Sequence, residues 1–170
     1  MSLYQASAPQ LTKMLKNLSA WLDEATQYAE AKPFDPNVLA ASRLAPDMYP
    51  LTRQVQGACD SAKFAVARLS GVTAPPHADT EQTLDELRAR IAACLDFIQG
   101  IDAKAFEGAE TRDVSLPFAP GKLISGQDYL TEMALPNFYF HISMAYAILR
   151  HNGVPLGKTK FIGSLNLRDA

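Results

Sequence analysis

The chain is short of cysteine, of long apolar runs and of charge imbalance, and each shortage removes a class of protein. Two cysteines, Cys59 and Cys94, among 170 residues cannot make a disulfide framework. Both lie in stretches with helical spacing, so free buried thiols in a reducing, cytoplasmic compartment are expected. No stretch reaches the ~18–20 uninterrupted apolar residues of a membrane helix. Residues 1–20 carry Lys13 and Lys16 without the apolar run of a signal peptide. Sixteen Lys and Arg against 18 Asp and Glu leave no basic surplus for nucleic acid or an anionic membrane. Nor is there a Cys-x-x-Cys, P-loop, Gly-x-Gly-x-x-Gly, Gly-x-Ser-x-Gly, Glu-x-x-His or His-x-x-x-His pattern, so no familiar metal, nucleotide or nucleophile site is spelled out.

What is present is ordinary globular composition, 48% hydrophobic and 20% charged, in a length that suits one domain over residues 1–170. Apolar residues recur at helical spacing in four stretches. The first stripe runs Leu11, Met14, Leu15, Leu18, Trp21, Leu22, Ala25 and Ala29. Ser2-x-x-Gln5 and Ser7-x-x-Gln10 are rival capping boxes at its start, and Pro33 and Pro36 stop it. The second runs Leu51, Val55, Ala58, Ala62, Val66 and Leu69 to Gly71, with Pro50 in its first turn and Asp47 as a candidate cap. The third is expected to open at Asp79-x-x-Gln82 and to end at Gly100. Residues 111–118 then alternate with a period near two, and Pro120-Gly121 marks a turn before Lys122-Leu123-Ile124, so a small hairpin or extended loop is expected. The fourth helix opens near Ser125-x-x-Asp128, meets Pro136, which should kink it or free the carbonyl of residue 132, and ends at Asn152-Gly153. The apolar tail after Gly153 should dock on the bundle. An all-α four-helix bundle follows.

Bundles build sites from inward side chains, so polar residues that interrupt an apolar stripe are the candidates. Asn137 and His141, four apart, fall about 20° either side of the centre of the fourth stripe, between Met133 and Met144. Unpaired there, each would cost about 1–3 kcal/mol, so each other, another helix, water or a ligand must satisfy them. Gln54 lies at the edge of the second stripe and could reach inward, whereas Arg53, Gln56 and Asp60 point outward on the same wheel. Arg88 sits at an edge of the third stripe, where a long stem commonly lies along apolar surface with its head in water. Lys63 reads as a solvated flank, His77 as part of a Pro-rich linker, and His151 as a cation favoured at a helix C-terminus. The run Phe138-Tyr139-Phe140 with Tyr146 makes the fourth helix apolar on more faces than one core needs. The tail should cover one flank and a homodimer partner another.

The stretch Leu135-Pro136-Asn137-Phe138-Tyr139-Phe140-His141, followed by Ala145-Tyr146-Ala147-Ile148-Leu149-Arg150-His151-Asn152-Gly153-Val154-Pro155-Leu156-Gly157-Lys158, resembles an uncharacterised, domain-of-unknown-function branch of the DinB/YfiT-like superfamily. Arg43-Leu44-Ala45-Pro46-Asp47-Met48-Tyr49-Pro50-Leu51, with Arg53-Gln54-Val55-Gln56, is similar to the same branch. The resemblance implies a down-up-up-down bundle with a long crossover, commonly a homodimer. It also implies a superfamily in which many members hold a divalent metal on one histidine from helix two and a His-x-x-x-His pair from helix four, and some are thiol-dependent transferases or isomerases. Carried over by residue, His141 matches the second helix-four histidine, Asn137 stands where the first would be, and the helix-two histidine falls near Gln54 or Gln56. Amide oxygens are poor ligands for Zn or Ni beside imidazole. The expectation is therefore a metal-free polar pocket of Gln54, Asn137 and His141, with Asp47 or Arg88 at its rim, open to a small molecule. The alternative is a metal-dependent (Zn or Ni) or thiol-dependent transferase or hydrolase that uses His141 as a ligand or general acid/base. A third reading is a non-catalytic interaction protein in which these residues only satisfy one another.

Overall fold

A computed structural model describes residues 1–169. Helix α1 (Leu3–Ala31) starts at Ser2, whose hydroxyl accepts from Gln5 N while the Gln5 side chain accepts from Ser2 N, so the earlier of the two candidate capping boxes is the one used. Helix α2 (Leu51–Ser70) has Pro50 as its N-cap rather than in its first turn, and Asp47 is exposed and caps nothing. Gly71 ends α2 in the left-handed region at φ 76°, and the Arg112 guanidinium donates to the Leu69 carbonyl just before it. Helix α3 (Leu84–Gln99) is capped by Thr83 and Glu86, not by Asp79 and Gln82, because Asp79 lies in the crossover at φ 52°, before the helix begins. Strands β1 (Asp113–Ser115) and β2 (Leu123–Ser125) pair antiparallel as the expected hairpin. Ser125 caps the short turn α4 (Gly126–Asp128), a π-helical turn covers Tyr129–Ala134, and α5 (Leu135–His151) completes the fourth long helix. The π-turn is the chain's answer to Pro136. Without an N–H, Pro136 cannot bond to residue 132 in α register, and the wider turn lets Leu135 N reach Leu130 O.

Side-chain pairs fix the direction of each helix. Gln10 Nε2 donates to the Tyr139 hydroxyl at 2.7 Å, and further along both helices Trp21 meets Tyr146 edge-on, so α1 and α5 run parallel. Arg68 meets Tyr129 and Gln54 meets His141, so α2 runs against α5. Arg88 on α3 reaches Thr26 and Asp23 near the end of α1, while Phe106, beyond α3, packs on Tyr4 near its start. The order is down-up-up-down, and residues 72–82 form the crossover that carries the chain back along α2. The apolar stripes of the four long helices close one core around Leu18, Trp21, Val55, Val66, Ile91 and Ile142. The tail docks as expected through α6 (Lys158–Ile162): Phe161 stacks on Trp21, and Trp21 Nε1 donates to Lys160 O at 3.2 Å.

Helix α2 is the enclosed helix of the fold, covered by α1, α3, α5 and the crossover, and this reverses two outward assignments. Gln56 and Lys63 are only 2% exposed, while Asp60 is half-buried. Gln56 Nε2 donates to Glu81 at 2.7 Å, and Lys63 Nζ reaches both Asp60 and His77 Nδ1, at 2.9 and 3.1 Å. The centre of this network is Arg90 of α3, which pairs with Asp60, Asp79 and Glu81 at 2.9–3.0 Å while Arg53 pairs with Asp79. Burial pushes the carboxyl pKa values of Asp79 and Glu81 upward, but hydrogen bonds and the neighbouring guanidiniums outweigh it and hold both below their ordinary values. Arg90 itself is kept charged, its desolvation offset by Asp60 and Glu81. Three cations facing three carboxylates satisfy a set whose buried members, Arg90 and Lys63, would be costly without partners.

Candidate functional site

The π-turn also sets where Asn137 and His141 point. An extra residue in one turn rotates all that follows by about 100° relative to an uninterrupted α-helix. The residues α5 buries are Phe138, Ile142, Ala145, Ile148 and Leu149, so Asn137 and His141 are not central in the core stripe. They lie on its flank, half-buried, in a groove between α2 and α5 of about 340 Å³. Pro117 and Phe118 of the hairpin loop overhang one side of this groove, with Phe118 68% exposed.

Gly57 explains how the imidazole fits. A Cβ built on Gly57 would lie 2.7–2.8 Å from three His141 ring atoms, so the ring rests on bare α2 backbone. There His141 Nδ1 lies 2.9 Å from Gln54 Oε1, and Gln54 Nε2 donates to Tyr49 O at 3.4 Å. The amide orientation this fixes makes Gln54 Oε1 an acceptor, so Nδ1 carries the hydrogen and Nε2 keeps its lone pair. Burial first, then the charge of Arg53, lowers the His141 pKa, with Asp60 opposing, so the ring is neutral at pH 7. One turn away, Asn137 Nδ2 donates to Ser61 Oγ at 2.7 Å, and Ser61 Oγ donates to Gly57 O. Arg90 Nε is the sole enclosed side-chain nitrogen or oxygen without a protein partner among the described residues. His141 Nε2 and Asn137 Oδ1, which also have no protein partner among those residues, are therefore reached by solvent.

Of the five residues singled out in the sequence, Gln54, Asn137 and His141 thus come together along the α2–α5 seam. Asp47 does not join them; it borders a separate cleft of about 210 Å³ with Met48, Tyr49 and Phe140, touching the seam only through Gln54. Arg88 is remote, on the α1–α3 seam, where Asp23, Asp85 and Thr26 occupy its guanidinium. Its stripe-edge position was legible, but the helix it faces was not. Sequence reading passed over Arg68, Phe64 and Tyr129, which line the far end of the groove. The Arg68 guanidinium lies between the Phe64 and Tyr129 rings, 5.0 and 5.4 Å from their centroids, and donates to the Tyr129 hydroxyl at 3.0 Å. Burial raises the Tyr129 pKa while Arg68 opposes it, so the phenol stays neutral. The i, i+4 pair Phe64 and Arg68 was the available signal, and it reads equally well as a solvated flank.

As a metal centre the donor set does not fit Zn or Ni. One imidazole is accompanied by two amides, its Nδ1 is committed to Gln54, and the Asn137 NH2 is committed to Ser61. Among the described residues no group of three His, Cys, Asp or Glu converges to hold an ion. Cys59 and Cys94 are buried and free; the Cys94 thiol donates to Cys59 O, and the Cys94 thiol together with burial pushes the Cys59 pKa well up, away from the reactive thiolate. No helix among the described residues is long and apolar enough to cross a membrane.

Residues 3–162 match a family described as a domain of unknown function, DUF1993. The fold is similar to the crystal structure of a DinB family member protein from Shewanella denitrificans, with a TM-score of 0.95 and 48% identity over 99% of this chain and 96% of that one. No curated protein matches the chain.

Proposed function

This chain belongs to the DUF1993 family of DinB-like proteins, and from that premise we propose that its α2–α5 groove is a metal-free pocket for a small molecule. The observation that carries the reading is the state of His141: neutral, seated on Gly57, with Nδ1 donating to Gln54 and an Nε2 lone pair left to accept from a ligand. Beside it, Asn137 Oδ1 is a second acceptor, while Phe64, Phe118 and Met133 supply apolar wall. A volume of about 340 Å³ suits a small organic molecule. The same lone pair favours a second reading, in which His141 acts as a metal-independent general base on a bound hydroxyl or thiol. Phe140, 51% exposed on α5, is the flank that a second copy would cover in a homodimer, and two free cysteines suit a cytoplasmic protein.

The test is a thermal-shift screen of small alcohols, amines, thiols and acids on untagged protein, with metal analysis of the same sample. A hit whose stabilisation is lost in both His141→Ala and Asn137→Ala supports the pocket. About one Zn or Ni per chain, removed together with His141, overturns the metal-free reading.

A further inference from the structure

Arg68 is the charged group in the groove that the fold itself does not use up. A guanidinium has five N–H donors, and among the described residues Arg68 makes one hydrogen bond, to Tyr129, and no ion pair. The neighbouring cations behave otherwise. Arg53, Lys63 and Arg90 are each matched by Asp60, Asp79 or Glu81, which leaves Arg68 as the uncompensated charge along this wall of α2. Tyr129 does not neutralise it, since its phenol stays protonated. The two flanking rings hold the guanidinium between them, so little rotational freedom remains to be lost when an anion arrives.

The opposite end of the groove has the reverse character. Asp60, Asn137 and His141 all line it, and its available atoms are acceptors. Arg90 and Lys63 both bond to Oδ1 of Asp60, leaving Oδ2 without a protein partner among the described residues. At ~1.5 Å rise per residue, Arg68 lies about 10 Å along α2 from Ser61, where Asn137 docks. Between the two ends the wall is apolar, from Phe64, Met133 and Phe118.

We propose that the groove takes an elongated monocarboxylate with a hydroxyl or amine at its far end, Arg68 receiving the carboxylate and His141 Nε2 with Asn137 Oδ1 accepting from the far group. This rests on reading the groove as a ligand pocket and adds the ligand's class and orientation. Hydrogen-bond character sets that orientation: Arg68 offers donors at one end, while His141 Nε2 and Asn137 Oδ1 offer acceptors at the other, where an ionised carboxylate has no proton to give. Arg68 is the specificity-determining residue: a planar fork matches a carboxylate through two parallel hydrogen bonds that a neutral ligand cannot accept.

Three probes of equal length separate the claims: ω-hydroxyoctanoate, octanediol and octanoate, titrated by NMR into wild type, Arg68→Gln and Arg68→Lys. Wild type is expected to bind ω-hydroxyoctanoate best, with shifts at the Asn137 side-chain amide and the Arg68 Nε–H. Arg68→Gln should weaken that binding about 10- to 100-fold and leave octanediol unchanged. Arg68→Lys, which keeps the charge but not the fork, should lie between, and it remains informative if Arg68→Gln fails to fold. If octanediol binds as well as ω-hydroxyoctanoate and both variants bind all probes like wild type, the carboxylate assignment is overturned while the pocket stands. If no probe perturbs Asn137, His141 or Arg68, the pocket and its ligand class fall together.

Discussion

Replacing Gly57 by alanine tests the seat of His141 with a single methyl group. The added Cβ would lie 2.7–2.8 Å from three ring atoms, closer than carbon and ring atoms tolerate, and the half-buried ring has solvent to move into. Its departure breaks the 2.9 Å bond to Gln54, whose side chain is 1% exposed and is left with an unsatisfied carbonyl. That loss costs about 1–3 kcal/mol, against a gain of about 1 kcal/mol from placing alanine in a helix interior. The net expectation is about 1 kcal/mol of destabilisation, or a melting point lower by about 2–4 °C for a chain of this size. The diagnostic readout is the imidazole itself. In wild type, 15N shifts should report the Nδ1–H tautomer and a titration below the ordinary value of about 6.5. In Gly57→Ala the titration should rise toward that value and the single-tautomer signature should be lost. Unchanged shifts and an unchanged titration in a folded Gly57→Ala protein would refute the seating of the ring on α2.

Stability should fall as pH drops below neutrality. His141 and His77 are both depressed by burial and neighbouring cations, so near pH 6.5 the unfolded chain binds protons that the folded chain refuses; their contribution is complete above that pH and is lost as pH falls through the folded values. Urea midpoints from pH 8 to pH 5 check this, and a flat profile contradicts it. Asp79 and Glu81, also depressed, add a second loss only below about pH 4. Arg90→Met should destabilise by about 1–3 kcal/mol, since it removes the shared partner of three carboxylates and leaves Asp60 to Lys63, Asp79 to Arg53 and Glu81 to Gln56, and chemical denaturation would show it. Phe161→Ala should cost about 3 kcal/mol or somewhat less at this partly exposed site, and Trp21 fluorescence should shift to the red as its stacking partner is lost.

The helices were legible because their stripes are long: Leu11 to Ala29 and Leu51 to Leu69 are buried as their spacing requires. Direction was legible only through the family resemblance, which implied the down-up-up-down order, since nothing local states that residues 72–82 run back along α2. That crossover converts Gln56 and Lys63 from apparent surface residues into buried ones and half-covers Asp60, by bringing Asp79, Glu81 and Arg90 over them. A wheel drawn for one isolated helix cannot register cover supplied by a segment far along the chain. In the fourth helix the fault was one of phase. Counting through Tyr129–Ala134 at 3.6 residues per turn puts Asn137 and His141 at the stripe centre, and the π-turn passes that place to Phe138 and Ile142. The grouping of Gln54, Asn137 and His141 survived because spacing within α5 does not depend on phase, whereas Arg68 carried no mark that set it apart from any exposed arginine.

The strap between α2 and α3 works as a ruler. From Gly71 it must reach the level of Gln56, where Glu81 is anchored, a descent of about 22 Å along α2. About ten peptide steps are available for it, worth roughly 33 Å when fully drawn out. The surplus amounts to about three residues, so removing more than that would pull Glu81 and Asp79 off Arg90 or unwind the top of α2, while added residues would only bulge outward. Length variation among relatives is therefore expected to have a floor about three residues below this one and no matching ceiling.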